Sequence, residues 1–145
     1  MTRRNWMFGL VALLAVSFIG APTRAAEKKA SDSELGKAME ELGKTVKALR
    51  KSVKDPAKNE ESLKLAEQAE KLAMKSRDLK PTVVEKAPAD KQKELQDGYT
   101  KMMDEVVANF GKLKEQLKAG KNDDAVETMK KLKKLEDDGH EIYNP

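Results

Sequence analysis

Two side chains of this sequence could do chemistry jointly: His140, the one histidine of the chain, and Met39. A thioether and a neutral imidazole together suit the two axial positions of a haem iron. The nitrogen is a strong donor, and the sulfur stabilises the reduced state. Such a pair fits an apolar pocket that passes single electrons and leaves no open coordination position. The ordinary alternative is structural. A methionine in an apolar seam is usually core filler, and a histidine near a helix C-terminus usually answers the helix dipole and the terminal carbonyls. Which reading holds depends on whether the fold brings the two residues together.

The elements that must do so read as four helices. Ser31-Asp32-Ser33-Glu34 has capping-box spacing, with Ser31 as the expected N-cap. The apolar positions Leu35, Met39, Leu42, Val46, Leu49 and Val53 then recur at steps of three and four, on one face of a helix. Pro56 disfavours helical geometry at Asp55 and ends helix one near Lys54. Helix two starts at Pro56 or Asn59 and runs to about Leu79, with a small-residue seam through Leu65, Ala66, Ala69, Leu72, Ala73, Ser76 and Leu79. Pro81 to Ala89, with two prolines and β-branched Thr82, Val83 and Val84, reads as the longest irregular connection. Asp90 is the expected N-cap of helix three, whose seam is Leu95, Tyr99, Met102, Val106, Phe110, Leu113 and Leu117, closed by Gly120. Asn122 is the expected N-cap of helix four, which turns Ala125, Met129, Leu132, Leu135 and Tyr143 inward.

Short links between helices one and two and between three and four make each pair antiparallel, and the middle connection returns the chain up-down-up-down. The expected fold is therefore all-α, an antiparallel four-helix bundle. Helix one's start and helix four's end then share one end of it. Met39 lies roughly 8 Å inside the start of helix one and His140 about 5 Å inside the end of helix four, so their depths match. His140 lies about 80° round from Leu132 and borders the apolar face.

Residues 1–25 are expected to be a cleavable signal peptide: Arg3 and Arg4, an apolar run from Trp6 to Ala21, and Thr23-Arg24-Ala25 before the cleavage point. The segment from Thr2 to Met7 faintly resembles a twin-arginine export signal, although paired arginines also occur in general secretory leaders. The remaining 26–145 is one domain. The leader holds three of the 29 basic residues and none of the 25 acidic ones, which leaves 26 against 25. Alternating lysines and acids then describe solvated helix surfaces, and neither a nucleic-acid nor a stable membrane partner is expected. The absence of cysteine excludes covalent haem attachment through C-x-x-C-H, a thiolate zinc site and a cysteine nucleophile. One histidine and isolated glycines assemble neither a Ser-His-Asp set nor a phosphate-cradling loop, so no enzyme is expected.

Along this path the chain resembles the cytochrome b562 family. The carriers are Met39-Glu40-x-Leu42 in helix one and, in helix four, Gly120-Lys121, Ala125, Leu132-Lys133, His140 and Tyr143 in the family's order and spacing. The resemblance implies an exported bundle holding one haem b non-covalently, with Met39 and His140 as axial ligands. It also places Leu95 and Tyr99 where family aromatics pack on the haem. It further implies a periplasmic, monomeric electron carrier serving a redox partner protein. Three features depart from the pattern. Glu136 stands where the family commonly has an arginine that neutralises a haem propionate, Leu95 replaces an aromatic, and each hairpin is about one turn longer. The competing expectation is a haem-free bundle that binds a partner or a soft metal, with Glu136 and His140 joined by Met39 or Met129 as ligands. Gly98 and Gly111, inside helix three, each cost about 1 kcal/mol relative to alanine. Close approach of a helix or cofactor, or a tolerated surface glycine, would account for Gly98.

Overall fold

In the computed structural model the described residues are 33–144, so the expected leader and cleavage point lie outside them. Among the described residues every regular element is helical. Helix α1 spans Glu34–Ser52, α2 Asn59–Arg77, α3 Thr82–Lys86, α4 Ala89–Lys118 and α5 Asn122–Tyr143, with a 3-10 turn at Pro56–Lys58. The four long helices form the expected bundle, in which α1 packs on α2, α2 on α4 and α4 on α5. The pair that would complete the ring, α1 and α5, lacks comparable backbone approach.

Several local expectations are corrected. The N-cap of α1 is Ser33, not Ser31: its hydroxyl accepts from the Gly36 amide at 2.9 Å, and the helix starts directly after it. The connection after Pro81 is not wholly irregular, because it contains α3, which packs against α4 and α5. β-branched residues are weak helix formers, but complete burial of Val84 outweighs that preference. The first residue of α4 is Ala89, so Asp90 sits in its first turn instead of capping it. Gly120 behaves as read, at φ 69°. Its amide reaches the Leu117 carbonyl at 3.1 Å and that of Lys121 the Gln116 carbonyl at 2.8 Å, the two bonds of a Schellman motif.

Asn122 is the first residue of α5 and makes no cap bond to it. Its buried side chain donates to the Val53 carbonyl at 2.8 Å and to Asn59 Oδ1 at 2.7 Å. The Asn59 amide in turn donates to Asn122 Oδ1 at 3.2 Å and to the Leu117 carbonyl at 3.3 Å. Two asparagines thus tie α1, α2, α4 and α5 together at one end of the bundle.

The core is densest toward this pinned end. Leu49, Val53, Ala66, Phe110, Leu113, Leu117 and Ala125 are all at most 2% exposed. Toward the opposite end the seam loosens: Leu35, Met39, Leu95, Met102, Val106, Leu135 and Tyr143 are only half-buried. Helical periodicity alone would bury the two ends equally.

Candidate functional site

At the loose end lies a cavity of about 510 Å³, within the roughly 300–1,000 Å³ typical of small-molecule and cofactor sites. Met39 and His140 both line it. Met39 is half-buried and His140 exposed, so the thioether belongs to the wall and the imidazole to the rim. The walls are predominantly apolar, with Leu42, Val46, Met103, Val106, Phe110 and Leu132 among them. Pro81 and Thr82, at the start of α3, also contribute, so the middle connection is part of the site. Nothing in the residue pattern from Pro81 to Ala89 signals that role.

Tyr99 lines the cavity and is 5% exposed. Its hydroxyl donates to the Ser76 carbonyl at 2.9 Å, and its ring meets that of Tyr143 edge-on at 5.2 Å. Burial, with a smaller contribution from Tyr143, pushes the Tyr99 phenol up to about 12; burial also raises that of Tyr143. Both rings are therefore neutral hydrogen-bond donors in the physiological range. Leu95 is not among the residues lining the cavity. Its carbonyl instead accepts from the Tyr143 hydroxyl at 3.2 Å, which fixes the end of α5 against α4.

Gly98 is explained by that same approach: a Cβ there would sit 2.8 Å from the Tyr143 hydroxyl. Reciprocally, a Cβ at Gly139 would meet Met102 Sδ at 3.0 Å. Each helix thus offers a notch to a large side chain of the other, and α4 and α5 are drawn together beside His140. Helix approach, not a tolerated surface position, is the reason for Gly98.

Glu136 lines the cavity, but its carboxylate is not free. Arg50 Nη2 of α1 reaches it at 2.6 Å, with each side chain about one-third exposed. The pair spans the gap between α1 and α5. It cancels the negative charge that the sequence places on this wall, and it occupies the carboxylate needed by the soft-metal alternative. Among the described residues no three His, Cys, Asp or Glu side chains are grouped to hold a metal ion. Neither Arg50 nor its pairing was evident from the sequence, because the partners come from helices whose relative rotation periodicity does not give.

A helical bundle with a mostly apolar cavity at one end, a thioether in its wall and an imidazole at its rim belongs to the class of bundles that enclose a ligand between facing helices. A family model, Cytochrome b562, matches residues 34–144, and the chain belongs to that family, one of haem-binding electron carriers. Neither the curated proteins nor the solved structures gave a match to the chain. No helix among the described residues is long and apolar enough to cross a membrane.

Proposed function

We propose that this protein is an exported, periplasmic b-type electron carrier that holds one haem b non-covalently between Met39 and His140. The observation that carries the reading is that these two side chains line one largely apolar cavity, at the end of the bundle away from the Asn59 and Asn122 network. The residues present suit the group in volume, in wall polarity and in donor set. A bound haem b supplies a one-electron iron couple.

Met39, from α1, and His140, from α5, would be the axial ligands. Both are neutral donors, so coordination adds no side-chain charge to the apolar wall. Tyr99 holds the α4 wall rigid through Ser76 and Tyr143, and Leu95 contributes through its carbonyl's hold on Tyr143. Arg50 neutralises Glu136, so a ligand carboxylate approaching this wall meets an ion pair instead of a lone anion. Exposure of His140 places the ligand set at the molecular surface, where a docked partner protein can exchange an electron. Family membership supports an electron carrier and not a catalyst. A monomer suffices, since all the residues invoked come from one chain.

Haemin titrated into the purified protein should give a shifted Soret band with one equivalent bound, and reduction should sharpen the visible bands. His140→Ala and Met39→Ala should each weaken binding and alter the reduced spectrum. No shift with the unsubstituted protein, or a spectrum indifferent to both substitutions, rejects the reading.

A further inference from the structure

Gly43 lies in the middle of α1, where glycine weakens a helix. Neither a left-handed backbone nor crowding by a neighbouring helix accounts for it, and the residue is exposed at the cavity edge. Its backbone is not left-handed, since Gly120 is the positive-φ glycine among the described residues. Nor does a neighbouring element crowd it: a Cβ built there meets no atom within 4 Å, whereas at Gly98 and Gly139 it strikes Tyr143 and Met102.

What Gly43 does is line the cavity. It follows Met39 by one helical turn and falls on the same face. A side chain on a helix leans toward the N-terminus and covers the preceding turn, so a large residue at position 43 would lean over the wall beside Met39. We propose that Gly43 is a specificity-determining position, its missing side chain reserving the volume beside the Met39 thioether for a broad apolar ligand. A bare soft cation held by a sulfur and an imidazole nitrogen needs no such clearing; a macrocycle does. The identity of the ligand rests on the haem reading, but the clearing itself is a property of the ligand-free protein.

The test is a parallel titration of haemin, followed by the Soret band, and of the apolar fluorescent dye ANS. It uses the unsubstituted protein, Gly43→Ala, Gly43→Leu and the control Gly111→Ala. Gly111 lies outside the cavity lining, and a Cβ there meets Glu70 at an ordinary 3.6 Å. Gly43→Leu should lose about tenfold or more in affinity for haemin and for the dye, with Gly43→Ala intermediate. Both should keep or raise the melting temperature of the ligand-free protein, because glycine is replaced within a helix. Gly111→Ala should bind like the parent.

Unchanged haemin and dye binding by Gly43→Leu overturns the inference. So does a loss of binding accompanied, in both Gly43 variants, by lower helicity and melting temperature. If the unsubstituted protein binds the dye but no haemin, the haem reading fails and the dye titration still decides the role of Gly43. A parent protein that takes up neither probe overturns the inference as well.

Discussion

Glu136 carries a negative charge into the cavity wall, and Arg50 answers it at 2.6 Å. With both side chains about one-third exposed, solvent screening limits the pair to about 0.5–1 kcal/mol. Arg50→Gln should therefore lower haemin affinity only severalfold, by leaving the carboxylate unanswered. Adding Glu136→Gln should restore it, and a double-mutant cycle of haemin titrations reads the coupling. Equal affinities in all four proteins would separate the pair from the site's electrostatics. Tyr99 makes a prediction in pH. Its folded-state pKa is raised from 10.0 to about 12, so the unfolded chain loses the phenolic proton first as pH rises. The stability this provides is complete below pH 10 and is lost as pH climbs toward about 12. Denaturant midpoints across that interval should fall, and Tyr99→Phe should remove that part of the slope while costing the bond to Ser76.

Among the elements, the two ends of the bundle have different tasks. Asn59 and Asn122 pin four helices at one end, while the reciprocal Gly98 and Gly139 notches hold only α4 to α5 at the other. Asn122→Ala would leave the buried Val53 carbonyl without its side-chain donor and part of the Asn59 amide unpaired. It is expected to cost about 1–3 kcal/mol in urea denaturation. Because this network lies at the end away from the cavity, haemin affinity of the folded variant should be unchanged. A variant that loses haemin binding in proportion to its stability would show that the ends are coupled.

On the scale of the whole molecule, the dense end is a scaffold and the loose end a receptacle. The half-buried seam around Met39, Met102, Val106 and Leu135 hides less of its surface than the core around Leu49, Leu113 and Leu117. Local opening should accordingly begin where the buried apolar surface is sparse. Hydrogen exchange of the ligand-free protein is expected to be fastest in the first half of α1 and the last half of α5. Haemin should slow exchange there first, and free haemin at a hundred times its dissociation constant should add about 2.7 kcal/mol to global stability. Uniform protection along α1, with or without haemin, would contradict this division.

The sequence by itself determined the four long helices, their antiparallel order and the common end of Met39 and His140. Each follows from local quantities: the three-and-four spacing of apolar residues, proline and glycine at the boundaries, short links and a fixed rise per residue. Tertiary structure decided the rest. That Asn122 ties four helices instead of capping one, that Arg50 finds Glu136, that α3 forms over a buried Val84, and that Gly43 faces open space all depend on how helices are rotated and spaced against each other. Periodicity fixes which face of a helix turns inward, but not the distance to the helix it meets. The separation of α1 from α5 is such a distance, and it leaves the cavity between the two candidate ligands.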